Sequence, residues 1–153
     1  MNQAGVRTFD AAAFLRRNGA DVVRVRKLFR DKLEDYKARA EAIQKAEIFK
    51  EYFAISECPA EGIESPTVVG AQAANEMLDI VGIKASFVLT HLDDTIYFSA
   101  RSIDEINVQI MMEKMGGGGH RTIAGAQLKG ATIEEAKVKL KEIITDMLEK
   151  GDI

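Results

Sequence analysis

Residues 85–101 read ASFVLTHLDDTIYFSAR, two alternating runs joined by a short acidic segment. In the second run Tyr97, Ser99 and Arg101 share one face of an extended chain, and the apolar residues at positions 96, 98 and 100 share the other. Runs with this two-residue period, separated by a few turn-forming residues, are typical of a β-hairpin. The stretch therefore predicts two neighbouring strands of one sheet.

The segments around this hairpin predict an α/β domain. From residue 52 onward the order is strand, helix, strand, strand, helix, glycine-rich loop, strand, helix. The predicted bounds are 52–56, 65–81, 85–91, 95–101, 102–115 and 122–128, with the last helix starting at 132. This order is typical of a mixed β-sheet flanked by helices.

Capping residues mark the helix starts in this domain. Ser65 followed by Pro66 predicts one start, because proline is favoured at the first helical position. Capping boxes, in which Ser or Thr precedes Glu by three residues, predict two more at Ser102–Glu105 and Thr132–Glu135.

The N-terminal third of the chain has a different pattern. Thr8 can cap a short helix from Phe9 to Arg17, which Asn18-Gly19 ends. A longer helix is predicted from Asp21 to Lys50, with one apolar stripe on an otherwise charged surface. Because these helices cannot bury much apolar surface alone, we interpret the longer one as a connector between two bodies, in a chain cut from something larger.

Composition limits the classes of function. The 153 residues are 46% hydrophobic and 29% charged, as in ordinary globular proteins, and the net charge of −3 argues against binding of long nucleic acid. A single cysteine, Cys58, excludes a disulfide framework and favours a reducing, cytoplasmic setting. No apolar run approaches the roughly 18 residues of a membrane span. Residues 111–129 are locally positive, since they contain three basic residues, Lys114, Arg121 and Lys129, and one glutamate.

Four glycines followed by His120 are the strongest candidate for a ligand site. Without side chains, Gly116 to Gly119 let a ligand approach backbone N–H groups closely. One glycine is enough to end a helix, so four indicate a further role. The run is neither a GxxxxGK[ST] nor a GxGxxG motif. His120 would add a donor for phosphate or base, although a histidine alone is more often a surface or capping residue.

Arg101 and Ser102 form a second candidate at a predicted junction of strand and helix. A guanidinium beside a helix N-terminus can bind an anion. The alternatives are a cross-strand ion pair for Arg101 and simple capping for Ser102. Other chemistry has little support, because Asp93-Asp94 is typical of a turn, no metal-ligand motif occurs and no GxSxG elbow is present.

The stretch SARSIDEINVQIMMEKMGGGGHRTIAGAQL, residues 99–128, resembles the DHH-associated substrate-binding domain of the DHH phosphoesterase superfamily. It is most similar to the C-terminal part of membrane-tethered cyclic di-AMP phosphodiesterases, in the segments Ser99–Ser102, Asn107–Gln109, Met112–Lys114 and Gly116–His120. The opening RTFDAAAFLRRNGAD, residues 7–21, resembles the last helix of a DHH domain.

The resemblance implies a domain organisation and a set of binding residues. Residues 1–20 would be the tail of a truncated DHH domain, 21–50 a connector helix and 51–153 the DHH-associated domain. The missing DHH domain would hold manganese and pack across a cleft from this one. No catalytic residue and no metal ligand is expected in this chain. The expected substrate-binding residues are Arg101, Ser102, Gly116, Gly117, Gly118, Gly119 and His120.

The resemblance also implies a reaction, the opening of one phosphodiester bond of the signalling nucleotide cyclic di-AMP to give linear pApA. The chain alone would be inactive, would face the cytoplasm without contacting the membrane that anchors its parent protein, and could form a homodimer. One alternative is an oligoribonuclease or phosphoadenosine phosphatase of the same superfamily. Another is a non-catalytic nucleotide- or tRNA-binding module, like the related domain of alanyl-tRNA synthetases.

Overall fold

The computed structural model describes residues 4–103 and 105–153. The chain divides into two compact units, Met1–Lys32 and Leu33–Ile153. The first contains α1 (Val6–Arg17) and α2 (Val22–Leu28). The second contains α3 (Leu33–Gln44), β1 (Glu47–Phe49), β2 (Phe53–Cys58), α4 (Pro66–Met77), β3 (Ala85–Leu92), β4 (Thr95–Ser102), α5 (Val108–Lys114), β5 (Gly118–His120), β6 (Ile123–Lys129) and α6 (Ile133–Lys150).

The two helices of the first unit bury none of their side chains. Helix α1 begins after Gly5, so Thr8 lies in its first turn and is not the cap that the sequence predicted. The predicted exit is confirmed, because Asn18 is the C-cap and Gly19 has a φ of +91°. Apolar side chains on these helices are exposed, namely Val6, Phe9, Phe14, Leu15, Val22, Val23, Val25 and Leu28.

The single helix predicted for residues 21–50 is wrong, because the segment contains two helices and a strand. Residues 22–30 contain four basic side chains and no acidic one. Like charges three and four residues apart destabilise a helix, and α2 has no buried side chain that could offset this repulsion. The helix therefore ends at Leu28, and α3 begins at Leu33.

Sheet pairing also shortens the predicted connector at its C-terminal end. Residues 47–49 pair antiparallel with β2 as an edge strand that the sequence analysis missed. Lys50 and Glu51 have positive φ values of 49° and 68°, which turn the chain between the two strands. Residues 47–49 therefore form a strand paired with β2, although their sequence pattern is helical.

The predicted mixed β-sheet is confirmed. Its six strands lie in the order β1-β2-β3-β4-β6-β5. Strands β2 and β3 run parallel, and the other neighbouring strands run antiparallel. The hairpin of β3 and β4 occupies the middle of the sheet, in the register that pairs Ala85 with Ser102 and Leu92 with Thr95.

The sheet packs against different helices on its two faces. On one face, α5 and α6 cover a large apolar core that includes Phe87, Phe98 and Leu140. On the other, α3 and α4 form a smaller core against β2 and β3, with Ala42, Met77 and Val88 at full burial. The alternation predicted for β4 is confirmed, since its even-numbered residues from 96 to 102 are buried and its odd-numbered residues are half-buried.

Helix α4 begins at Pro66 as predicted but ends at Met77 rather than at Val81. The hydroxyl of Ser86 on β3 donates a 2.6 Å hydrogen bond to the carbonyl of Ala74. The backbone amide of Leu78 donates to the carbonyl of Asn75, three residues back, rather than to that of Ala74, four residues back. The bond between Leu78 and Asn75 tightens the last turn. The helix therefore ends beside the hydrogen bond from Ser86 that links it to the sheet.

The capping box predicted at Ser102–Glu105 is wrong, and its third residue, Asp104, lies outside the described residues. Ser102 is the last residue of β4 and pairs with Ala85. Its hydroxyl donates to the carbonyl of Ile106 at 2.6 Å. Helix α5 starts at Val108, with Asn107 as its cap. Strand pairing thus holds Ser102 in β4, five residues before the residue that caps the helix.

The capping box at the start of α6 is confirmed. The hydroxyl of Thr132 accepts from the amide of Glu135 at 3.2 Å, and the Glu135 carboxylate accepts from the amide of Thr132 at 2.8 Å. In the described part of the chain, no helix is both long enough and apolar enough to cross a membrane.

Replacing Thr132 by Ala should lower the free energy of unfolding by about 1 kcal/mol, the usual cost of losing such a cap. Thr145→Ala is the matched control, because that hydroxyl only bonds back to Lys141 within the same helix. Hydrogen bonds from Thr132 lower the pKa of the Glu135 carboxyl, so the stability gained from its ionised form is present near neutral pH and lost as pH falls. Urea denaturation at pH 7 and at acidic pH measures both effects, and equal loss in the two variants would contradict this assignment.

Candidate functional site

The four-glycine run forms the end of α5 and an edge strand. Gly116 follows the helix with a φ of +86° and donates its amide to Glu113 at 2.9 Å. Residues 118–120 form β5, which pairs antiparallel with β6 through a two-residue connection at 121–122. The glycine-rich sequence predicts a loop here, and the strand is a difference that the structure reveals.

Two of the glycines are required by close approach to β6. A Cβ at Gly117 would lie 2.1 Å from the carbonyl oxygen of Gly125, and one at Gly119 would lie 2.5 Å from the Cα of Ala124. Gly119 also has a φ of +149°, which side chains rarely adopt. With Gly116, three of the four glycines therefore have a reason within the fold itself.

Gly118 is the exception among the four. A Cβ at this position would meet no atom within 4 Å, and its φ lies outside the positive range. Residues two apart on a strand share a face, so Gly118 lies on the same face as His120. Because packing does not require a glycine here, this position is open to a ligand.

The register brings the predicted binding residues into rows across three strands. Arg101 pairs with Ile123, which pairs in turn with His120. Two residues further along each strand, Ser99 pairs with Gly125, which pairs with Gly118. Residues directly opposite in antiparallel strands project to the same side.

We call the surface formed by these two rows the open trough, defined by Ser99, Arg101, Gly118, His120, Ile123 and Gly125. Its floor is the row that contains two glycines, and its rim is the row from Arg101 to His120. These two residues lie on β4 and β5, which are about 10 Å apart because β6 lies between them. It belongs to the face that α3 and α4 cover over β2 and β3. At β5 and β6 this face is accessible, since Ile123 and His120 are exposed.

Arg101 is held at one end of the rim by neutral acceptors. Its Nε donates to Asn75 Oδ1 on α4 at 3.0 Å, and one terminal nitrogen donates to the carbonyl of Ala100 at 2.9 Å. Burial lowers the pKa of the guanidinium from its usual value, but arginine keeps its proton in proteins. The charge is therefore partly desolvated, and within residues 4–103 and 105–153 its hydrogen-bond partners are neutral oxygens. Sequence analysis missed Asn75, because no local pattern links it to a strand 26 residues away.

The structure does not bring Ser102 into the trough. Ser102 projects from the opposite face of β4 to Arg101 and is 7% exposed. Its hydroxyl donates a hydrogen bond to the carbonyl of Ile106. Its backbone amide donates to Thr122 at 3.0 Å, which ties β4 to the turn after His120. In this structure Ser102 supports the rim and does not face a ligand.

A protein-family model confirms what the motif suggested. The model described as the DHHA1 domain matches residues 51–149. The chain belongs to this family.

The relatives of this DHHA1 domain include two curated phosphodiesterases. The cyclic-di-AMP phosphodiesterase GdpP of Geobacillus thermodenitrificans is 43% identical over 150 residues, which are 97% of this chain and 23% of that protein. The cyclic-di-AMP phosphodiesterase PdeA of Listeria monocytogenes is 43% identical over 151 residues, 98% of this chain and 23% of that protein. The chain thus spans about a quarter of the length of these relatives.

A solved structure shows the same fold as this DHHA1 chain. The crystal structure of an exopolyphosphatase-related protein from Bacteroides fragilis matches with a TM-score of 0.78 and 19% sequence identity. The match covers 95% of this chain and 45% of that one. At this identity the likeness concerns the fold alone.

Charge in the DHHA1 domain is more local than the sequence suggested. Lys114, one of three basic residues in the positive window, lies 3.7 Å from Asp146 Oδ2 on α6. Arg121 also has an interaction partner, so the window is not a free basic patch. The cation best placed for an anion in the trough is therefore Arg101.

The trough of the DHHA1 domain offers little to a metal ion. It contains one imidazole and no carboxylate, whereas manganese prefers oxygen ligands. Within residues 4–103 and 105–153, no three His, Cys, Asp or Glu side chains come together in an arrangement that could hold an ion.

The glycines should differ sharply in their tolerance to alanine. Gly117→Ala should destabilise the chain by about 1–3 kcal/mol, because its methyl group would overlap the Gly125 carbonyl. Gly118→Ala, the matched control, should change the free energy of unfolding by less than about 0.5 kcal/mol. Thermal or urea denaturation measures both. Equal destabilisation by the two substitutions would contradict the assigned register of β5 and β6.

Proposed function

We propose that this chain is the substrate-binding portion of a phosphodiesterase that hydrolyses cyclic di-AMP to linear pApA. The observation that carries the proposal is Arg101, a partly desolvated cation whose hydrogen-bond partners among the described residues are neutral acceptors, at the rim of a trough whose floor contains two glycines. The names of the relatives, cyclic-di-AMP phosphodiesterases, supply the nucleotide.

Each part of the trough has a role in this proposal. Arg101 binds a phosphate through its remaining N–H groups, while Asn75 fixes the plane of the guanidinium. The Gly118 backbone lets the sugar-phosphate lie close to the sheet, where a side chain would keep it away. His120 donates to the phosphate or base from the other end of the rim.

The chemistry of bond breaking lies outside this chain in the proposal. A DHH domain of a longer protein would hold manganese, which supplies the activated water, and would close over the trough. This chain binds and orients the nucleotide and helps to exclude water. The anchoring of that longer protein in the membrane, with this part on the cytoplasmic side, belongs to the same proposal, as does the formation of a homodimer.

Removing either rim side chain should weaken nucleotide binding. In the longer protein, Arg101→Gln and His120→Ala should each raise the Kd for cyclic di-AMP about tenfold to a hundredfold, the usual range for a hydrogen bond to a charged group. His91→Ala is the matched control, because that histidine is exposed on the distal part of β3 and lies outside the trough. Isothermal titration calorimetry measures the three values.

If His120→Ala and Arg101→Gln bind like the wild type, the trough is not the nucleotide site. Turnover of pApA compared with cyclic di-AMP then tests the reaction class. A protein that cleaves pApA and ignores cyclic di-AMP would be an oligoribonuclease relative, and the proposed substrate would be wrong.

The 153-residue chain alone should show no manganese-stimulated hydrolysis of cyclic di-AMP. The trough lacks carboxylate ligands, and catalysis of this kind needs a metal-bound water. Release of pApA with and without manganese, followed by chromatography, measures this. Turnover that depends on manganese and is lost in Arg101→Gln would contradict the division of labour between two domains.

A further inference from the structure

The open face of the sheet extends beyond the two rows of the trough to a third row of side chains. Tyr97 on β4 pairs with Gln127 on β6, two residues along from the row of Ser99 and Gly125. Both side chains therefore project to the same side as Arg101. Tyr97 is half-buried and Gln127 is exposed.

Tyr97 lies at the border between the covered and the open parts of this face. Its other register partner, Thr90, is buried directly beneath α4, where a Cβ at Gly70 would lie 2.6 Å from the Thr90 hydroxyl oxygen. On the opposite side of Tyr97, Gln127 is accessible to solvent. Tyr97 thus lies between a buried neighbour on β3 and a solvent-accessible neighbour on β6.

The polar groups of this pair are available. Across residues 4–103 and 105–153, neither the Tyr97 hydroxyl nor the Gln127 amide has a hydrogen-bond partner within the chain. A tyrosine ring offers a flat apolar surface for stacking, and a glutamine amide offers one donor group beside one acceptor. Together they match the two things that a protein recognises in an unpaired base, its face and its edge.

We propose that Tyr97 and Gln127 form the base-recognition end of the open trough and select adenine. This inference rests on the proposed function, because it assigns the base of the same nucleotide whose phosphate Arg101 binds. The pair of a donor and an acceptor on Gln127 complements N6 and N7 of adenine. Guanine presents two acceptors on the corresponding edge, so one of the two hydrogen bonds would be lost.

The spacing along β4 fits one nucleotide. Tyr97 and Arg101 are four positions apart, which is about 13 Å along a strand. Between them lies the floor row, in which Ser99 is followed across the sheet by two glycines. A phosphate at Arg101 and a base at Tyr97 place the ribose over this floor, where no large side chain obstructs it.

The experiment compares cyclic di-AMP with cyclic di-GMP in the full-length protein. Gln127→Met keeps the length of the side chain and removes its polar groups, while Tyr97→Leu removes the ring and Tyr97→Phe retains it. The Kd of each variant for both nucleotides is measured by calorimetry, and its melting temperature shows whether it is folded.

Gln127→Met should weaken cyclic di-AMP binding about tenfold and change cyclic di-GMP binding less than threefold, so the selectivity falls about tenfold. Tyr97→Leu should weaken both about tenfold or more, because stacking is tolerant of base identity, and Tyr97→Phe should stay within threefold of the wild type. These values together support the assignment.

Two results would overturn the assignment in distinguishable ways. If cyclic di-AMP binding depends on Arg101 and His120 while Gln127→Met and Tyr97→Leu match the wild type, base recognition lies elsewhere and the proposed function stands. If the wild-type protein binds neither nucleotide, the proposed function and the base assignment fail together.

Discussion

The backbone of residues 117–119 approaches β6 so closely that no side chain fits at Gly117 or Gly119, and this contact organises the candidate site. It draws the chain after α5 into an edge strand, which then fixes the register of β5. Given that register, Gly118 and His120 share a face with Arg101, two strands away. A larger residue at either crowded position would push β5 away from β6 and separate the rim residues.

Sequence reasoning succeeded where the deciding contacts are local. The alternation in residues 95–101 predicted both faces of β4, and the capping box at Thr132 involves atoms only three residues apart. The predictions were wrong where pairing with a strand distant in sequence determines the conformation of a residue. Ser102 has the pattern of a cap, but pairing with Ala85 keeps it in β4. The missed strands β1 and β5 are short edge strands, whose existence depends on partners later in the chain.

The same distinction applies to the site. The motif predicted that the glycines and His120 belong together, and the register places Arg101 with them. It could not show that three of the glycines are needed for the fold, because the atoms that crowd them lie on β6 or follow from backbone conformation. Nor could it find Asn75, whose link to Arg101 depends on how α4 crosses the sheet. Patterns identify which residues carry chemistry, while packing decides which of them meet.

Main chain and side chains contribute differently to recognition in such a trough. A floor of backbone accepts any sugar-phosphate of the right width, so it gives affinity without distinguishing bases. Discrimination must come from side chains at the two ends of the floor, where exposed or half-buried strand positions lie outside both apolar cores. Because these positions carry little of the packing energy, substitutions there can change the preferred base while the crowded glycines keep the fold. Under the proposed function, one scaffold could therefore serve several nucleotide substrates, with Arg101 and the glycine floor held constant and the far end of β4 and β6 free to vary.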